Sequence, residues 1–455
     1  MTNTFHITTF GCQMNAADSD WLNRSLVARG FVPVSAEEAS IHILNTCSVR
    51  DKPEQKVYSE IGRIRSFTNN SSDILVCVGG CVAQQVGEKL FKRFSQVRLV
   101  FGTDGIASAP DAIARLAGEK RLRMSLIDFA DRFEERDIAL DGEGTPPSAF
   151  VNIMQGCDNY CAYCIVPYVR GRQKSRDAEA ILVECAAYLA RGAREITLLG
   201  QNVNAYGNDL DVRPPNGRSP FGDLLYQVAA LPGLCRLRFI TPHPKDMGPD
   251  MPQAFADLPV LAPRVHLPLQ SGSDAILKRM GRKYDTDRFM ELVTALRAAR
   301  PEIHFSTDII VGFPGETEDQ FQETLAFMEK VGFVGSFSFA YSDRPGTRAS
   351  LMVDKLDKQT KLERLARLQN WQYTYARTIL DAMLGDTVQV LLEGEAVAKE
   401  PVPGAEYWQG KEARGHSVIV RMTRDAPEGG WLGRIVPVLV TGSSMHGIKG
   451  DLVSE

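Results

Sequence analysis

The sequence predicts an α/β protein in three parts: a parallel α/β unit, a series of six βα units forming a partial barrel, and a small terminal β-barrel. Three observations predict it. Short apolar runs alternate with helix-compatible stretches through the first three quarters of the chain, which is the spacing of βα units. A turn-rich stretch at 141–148 divides that series. After a polar helical stretch, 357–377, the pattern changes to short, glycine-punctuated β runs. With 455 residues, and roughly 150 per domain, two to four domains are expected. The limits drawn from the pattern are 1–120, 143–375 and 376–440.

In the first part, apolar runs at 5–10, 41–44 and 74–78 lead into Cys12, Cys47 and Cys81. Parallel sheets collect ligands beyond the carboxyl ends of their strands, so these cysteines should meet on one sheet edge. By spacing alone, three scattered cysteines are more often core residues. In the second part, strand-like runs at 150–154, 195–199, 235–240, 264–269, 304–311 and 336–341 alternate with helical patterns such as 177–191, 287–299 and 317–330. A complete barrel has eight units; six give an open one, with its site at the carboxyl ends of the strands. In the third part, runs at 387–392, 417–421 and 433–439 suggest a small barrel of a kind often used on oligonucleotides. A barrel that only packs against the main domain is the alternative.

Composition narrows the class. Hydrophobic residues are 44% and charged residues 24%, the mixture of an ordinary globular chain. Net charge is −4, so any nucleic-acid partner must be met by a local basic patch. Residues 1–10 lack a basic leader followed by an apolar stretch, and no run approaches the ~20 apolar residues of a membrane span. A cytoplasmic chain with no membrane segment is expected. Nine cysteines in a reducing compartment point to metal binding or catalysis rather than disulfides.

Gln155-Gly156-Cys157-Asp158-Asn159-Tyr160-Cys161-Ala162-Tyr163-Cys164 follows the first strand of the barrel region. Three thiols fall on one tight loop. A structural zinc usually takes four protein ligands, and no fourth cysteine or histidine follows nearby. A four-iron cluster held by three cysteines keeps one iron open for another ligand. The zinc loop is the weaker reading.

This spacing, with Tyr163 directly before the third cysteine, resembles the signature of the radical S-adenosylmethionine (SAM) superfamily, whose fold is a partial βα barrel. The resemblance implies a [4Fe-4S] cluster on Cys157, Cys161 and Cys164. Its open iron binds SAM, and SAM cleavage yields a 5′-deoxyadenosyl radical. It further implies SAM-binding positions at Tyr163, Gly200, Gln201, Gln270, Ser271, Asp308 and Gly312. For each polar residue, a structural hydrogen bond at a strand end is the alternative. Because the cofactors carry the chemistry, no side chain is assigned as catalytic. Cys77, Cys185 and Cys235 sit in apolar patterns and are expected to be buried, inert thiols.

Thr9-Phe10-Gly11-Cys12-Gln13-Met14-Asn15, Asn45-Thr46-Cys47-Ser48-Val49-Arg50 and Gly79-Gly80-Cys81-Val82-Ala83-Gln84 resemble the methylthiotransferase family over nearly the whole chain. That implies a Rossmann-like first domain holding an auxiliary [4Fe-4S] cluster through Cys12, Cys47 and Cys81, and a C-terminal RNA-binding TRAM barrel. The Gly-Cys-Gln-Met-Asn and Asn-Thr-Cys-Ser-Val-Arg contexts, 201–207 and 341–347 are similar to the branch acting on prenylated adenosine in tRNA. The implied reaction puts a methylthio group on carbon 2 of that adenine, using two SAM molecules. The implied partners are the tRNA anticodon loop, an electron donor such as flavodoxin or ferredoxin, and a sulfur or cluster donor; a monomer is expected. Arg170, Arg172 and Lys174, followed by Arg176, form a basic run that could grip RNA phosphates beside the site. A solvated helix entrance is the alternative there, and Tyr168 could stack on a base or be buried. Two rivals remain at this point: methylthiolation of a ribosomal protein, and a non-catalytic iron–sulfur sensor that binds RNA.

Overall fold

A computed structural model describes residues 3–48, 53–67, 74–136, 146–211, 213–397, 402–423, 425–444 and 447–453. The first unit runs Thr4–Thr9 (β1), Gln13–Ala28 (α1), Val32–Pro33 (β2), Ile41–Thr46 (β3), Pro53–Phe67 (α2), Leu75–Gly80 (β4), Cys81–Val86 (α3), Lys89–Arg93 (α4), Val97–Phe101 (β5), Ala109–Gly118 (α5) and Met124–Leu126 (β6). Its strands form one parallel sheet in the order β2-β1-β3-β4-β5-β6. Strand alternation sends Ile41, Ile43, Leu75 and Cys77 to a core under α1 and α5, and Leu44, Val76 and Val78 to a second core under α2. Helices cover both faces, as the apolar runs require. Three of the strands, β2, β5 and β6, add to the three foreseen, and β6 passes the expected limit at 120.

The second unit begins at Ser148–Asn152 (β7) and continues through Met154–Gln155 (β8), Val166–Val169 (α6), Lys174–Ser175 (β9), Ala178–Ala190 (α7), Glu195–Leu199 (β10), Pro220–Ala229 (α8), Arg236–Phe239 (β11) and Asp250–Asp257 (α9). It is completed by Arg264–His266 (β12), Asp274–Met280 (α10), Thr286–Ala299 (α11), His304–Val311 (β13), Glu318–Val331 (α12) and Gly335–Ala340 (β14). The strands make two parallel triplets, β7-β10-β11 and β12-β13-β14, joined by a parallel bridge between Leu237 and Leu261. This is the six-unit open barrel, with its gap between β14 and β7. Helix starts are fixed locally. Asp177 caps α7 through the N–H groups of Glu179 and Ala180, and Thr317 and Gln320 form a reciprocal capping box on α12. Of the dividing stretch 141–148, residues 141–145 lie outside the described residues.

Lys358–Asp381 (α13) leads from β14 to a closed barrel in the order β15-β16-β17-β19-β18. Its strands are Thr387–Glu395 (β15), Tyr407–Glu412 (β16), Ser417–Arg421 (β17), Ile435–Ser444 (β18) and Gly447–Leu452 (β19). The expected limits at 375 and 440 therefore fall inside α13 and β18. The barrel closes only with β19. It docks on the amino ends of the open barrel's strands: Arg236 donates to the carbonyls of Lys411 and Gln389 at 2.7 and 2.6 Å, Arg238 to that of Ala413 at 2.8 Å, and Arg264 to that of Arg414 at 3.0 Å. The opposite, carboxyl end is left for chemistry.

Candidate iron–sulfur and substrate site

Two cysteine triads stand at that end. Cys12 is the N-cap of α1 just past β1, Cys47 follows β3, and Cys81 opens α3 directly after β4. Because β1, β3 and β4 are adjacent, their carboxyl ends bring the three thiols to one edge. Gly11 lets the turn pass against Cys47: a Cβ there would lie 2.1 Å from that of Cys47, at a φ of +113°. Side chains lock the strand ends together. Asn15 donates to the carbonyls of Phe10 and Thr46 at 2.9 and 2.8 Å, and Thr46 donates to that of Gly79 at 2.6 Å.

The second triad occupies one loop after β8. Gly156, at a φ of +80°, reverses the chain where a Cβ would meet the Arg172 carbonyl oxygen at 2.0 Å. The Gly156 N–H donates to Gln201 Oε1 at 2.6 Å, and the Ala162 N–H to the Met280 carbonyl at 2.7 Å. The Ala162 carbonyl accepts from the Ala349 N–H at 2.8 Å, and that of Tyr160 from Arg348 at 3.0 Å. Three distant segments, around Gln201, Met280 and Arg348–Ala349, thus hold the loop in place.

Each triad has one buried guanidinium. Arg282 donates from Nη1 to Cys161 Sγ at 3.3 Å and to the Tyr163 hydroxyl at 3.4 Å, while Nη2 reaches the Pro268 carbonyl at 3.1 Å. Arg170, on the loop segment after α6, crosses to the first triad and donates from Nη2 to Asn15 Oδ1 at 3.0 Å; its Nη1 is buried without a hydrogen-bond acceptor. The Cys12 thiol is lowered to about 6, first by its hydrogen bond with Cys47, against burial and with help from the Arg170 charge. Burial raises Cys81 and Cys157, and pushes Cys164 up to about 12. Among the described residues, no three His, Cys, Asp or Glu side chains close on a single point as one metal ion needs. A cubane takes one thiolate per iron, so its sulfurs are spread. Soft donors, three to a set, each with a cation to offset thiolate charge, fit iron–sulfur clusters.

The sequence-derived candidates divide. Tyr163 lies half-buried among Ala162, Ile310 and Tyr341 beside the loop. The Gly200 carbonyl accepts from Thr241, and the Gln201 side chain is spent on Gly156. Gln270 takes a φ of +73° and bridges to β13, its N–H on the Asp308 carbonyl at 2.8 Å. Asp308 pairs with His266 at 3.3 Å. Ser271 is turned to α12, with its hydroxyl 3.2 Å from that of Thr324, and the Gly312 N–H is held by Glu316 at 2.7 Å. Ser271 is thereby tied to α12, and Gly312 to the turn that precedes it.

The basic run needs a larger correction. Arg170 is 3% exposed and Lys174 5%, and Lys174 is paired with buried Asp104. Arg176 is buried between Glu135 and Glu184. They tie the two domains together and do not offer their charge to phosphates. Arg172 alone of the three RNA candidates is exposed, against Asp158 at 3.1 Å. Tyr168 is exposed and meets exposed Tyr160 edge-to-face at 6.3 Å. Cys77 and Cys185 are buried as expected, but Cys235 is exposed because β11 starts one residue later, at Arg236. Sequence reasoning missed Arg282, which lies 121 residues from Cys161 and carries no local mark.

Comparison with known proteins agrees with this geometry. Residues 151–328 match the radical SAM superfamily, and 4–102 match uncharacterized protein family UPF0004. The tRNA-2-methylthio-N(6)-dimethylallyladenosine synthase of Oleidesulfovibrio alaskensis is 56% identical, with 99% of each chain covered. Proteins of the same name from Nitratidesulfovibrio vulgaris strain DP4 and Lawsonia intracellularis are 57% and 49% identical, covering 98% and 99% of each chain. Among solved structures, the radical SAM methyltransferase TsrM of Kitasatospora setae, with cobalamin and a [4Fe-4S] cluster bound, shares the fold at a TM-score of 0.56 and 14% identity, covering 77% of this chain and 74% of its own.

Proposed function

The chain belongs to the tRNA-2-methylthio-N(6)-dimethylallyladenosine synthase family of radical SAM enzymes, and we propose that it replaces the hydrogen on carbon 2 of N(6)-dimethylallyladenosine at position 37 of tRNA with a methylthio group. The single observation that carries this reading is that the first triad packs beside the second: Cys81 lies against Ile165, next to Cys164, and against Val169 of α6. Carbon 2 is aromatic and not acidic, so proton transfer alone is a poor route to substitution. Once bound, the clusters and SAM would supply the hard chemistry, methyl transfer to sulfur and radical removal of the hydrogen, which no side chain can provide.

The chain's own residues hold and orient. Cys157, Cys161 and Cys164 are proposed to hold one [4Fe-4S] cluster, and Cys12, Cys47 and Cys81 a second. Tyr163, Gly200, Gln201, Gln270 and Asp308 border the place where SAM would lie. Arg172, Tyr160 and Tyr168 remain the exposed residues beside the loop that suit RNA, by charge and by stacking. No helix among the described residues is long and apolar enough to cross a membrane. A cytoplasmic monomer served by an electron donor such as flavodoxin or ferredoxin and by a sulfur donor completes the reading. Prenylation should matter to rate. Burying five apolar carbons contributes on the order of 2 to 4 kcal/mol, roughly thirtyfold to thousandfold where the contact persists in the transition state. Single-turnover assays on paired anticodon stem-loops, with and without the dimethylallyl group, test it. Equal rates would make the enzyme indifferent to prenylation, and activity only on a ribosomal-protein peptide would overturn the reading.

A further inference from the structure

The inner wall of the open barrel carries two exposed phenylalanines that nothing above employs. In β13 and β14, residues paired across the strands share a face. Phe305, Ile309 and Val311 point outward into the core, with Phe289 and Leu292 of α11 and Phe327 of α12. The inward row therefore holds Asp308 opposite Phe337 and Ile310 opposite Phe339. Phe337 is 64% exposed and Phe339 46%. A single exposed apolar side chain needs no explanation, but two successive ones on the inner face of a parallel barrel strand do, because both faces of such strands are normally covered.

The wall adjoins the cysteine loop. Ile310, the cross-strand neighbour of Phe339, packs with Ala162 and Tyr163 between the second and third cysteines. His266 meets Phe337 edge-on at 5.7 Å and pairs with Asp308 at 3.3 Å, which sets a polar edge beside the apolar face. The strand also borders the gap between β14 and β7, at the open edge of the barrel. We propose that Phe337 and Phe339 form the wall that receives the prenylated adenine, Phe337 acting as a specificity-determining residue. This rests on the proposed function and assigns it a subsite. Aromatic faces stack on any nucleobase, and the same apolar surface covers a branched five-carbon chain. Both His266 ring nitrogens are taken, by Ser306 and Asp308, which leaves the other Asp308 carboxylate oxygen to accept from the N–H of the base's prenylated amine.

The test uses full-length, cluster-reconstituted enzyme and two anticodon stem-loops that differ only in the dimethylallyl group. The readout is the ratio of their kcat/KM values, together with cleavage of SAM measured without RNA. Phe337→Ala should cut the prenyl preference about tenfold, the order carried by one or two buried methylene-sized groups. Phe337→Leu, which keeps an apolar surface, should restore most of it. Because Phe337 is largely exposed, its truncation costs the fold little, and iron per chain checks that. An unchanged preference in both Phe337→Ala and the Phe337→Ala/Phe339→Ala double variant overturns the inference while leaving the proposed function standing. A loss of RNA-free SAM cleavage as large as the loss on RNA also overturns it, by giving the wall to the cofactor. A wild-type enzyme inactive on both stem-loops removes the proposed function and this subsite with it.

Discussion

The two cysteine triads are built by opposite constructions. The radical triad is local: Cys157, Cys161 and Cys164 lie on one loop, with their arginine, Arg282, in the same domain. The N-terminal triad is assembled from three strand ends, and its arginine, Arg170, comes from the other domain. A local site is complete when its domain folds, whereas an assembled one is complete only when domains dock. Arg136 and Arg170 both approach Asp18 on α1, at 2.7 and 3.9 Å, and Thr103 donates to the Val169 carbonyl at 3.1 Å. Those contacts make the docking part of the N-terminal site.

The largest effect should come from removing either triad. Replacing Cys157, Cys161 and Cys164 with alanine should halve the iron in anaerobically prepared protein and abolish 5′-deoxyadenosine release. Replacing Cys12, Cys47 and Cys81 should also halve the iron and stop methylthiolation, yet leave SAM cleavage in place. Full iron in either triple variant would break the comparison at its root.

The two arginines sharpen it. Partners that hydrogen-bond to a metal ligand typically contribute about 10–100-fold to metal affinity or activity. Arg282→Met should therefore lower SAM cleavage by about that much. Arg170→Met, which removes the guanidinium hydrogen-bonded to Cys81, should instead weaken iron retention at the N-terminal triad by a similar factor, because Thr103 keeps the Val169 carbonyl and Asp104 keeps Lys174, and the joint between the domains survives. Iron titration of each variant in a background lacking the other triad reads the two sites separately. A loss at both sites from Arg170→Met would mean that the sites are not independent.

The same contrast explains what the sequence made legible. The radical loop announces itself through spacing four and three, and the six barrel strands through apolar runs, two of them matching the structure residue for residue at Glu195–Leu199 and His304–Val311. The N-terminal triad is visible only once the strand order is inferred, since nothing in its spacing unites it. Charge is the least legible. Arg170 and Lys174 read as a surface run because their acidic neighbours, Asp18 and Asp104, lie far away in sequence and meet them only after docking. Strands β16 and β19, Tyr-Trp-Gln-Gly-Lys-Glu and Gly-Ile-Lys-Gly-Asp-Leu, carry too few apolar residues to stand out; barrel closure, not propensity, makes them strands.

The smallest expected effect lies at the joint farthest from both triads, where the terminal barrel meets the amino ends of β12 and β13. His304 Nδ1 and His416 Nε2 are 3.2 Å apart across that joint, among Arg238, Arg264, Arg414 and Glu412. Burial, aided by the surrounding arginines, holds both imidazoles down to about 4 against an ordinary value near 6.5; only Glu412 opposes it. The folded joint therefore binds fewer protons than the unfolded chain between those values. Its stabilising contribution is complete above about pH 6.5, declines as pH falls toward 4, and is lost below. Thermal melts of the metal-free protein should drop between pH 7 and pH 5, and His416→Gln should flatten that drop while keeping the backbone N–H that donates to Glu412 at 3.0 Å. An equal drop in the variant would place the acid-sensitive joint elsewhere, and a drop that disappears with Arg170→Met would place it between the domains that complete the N-terminal triad.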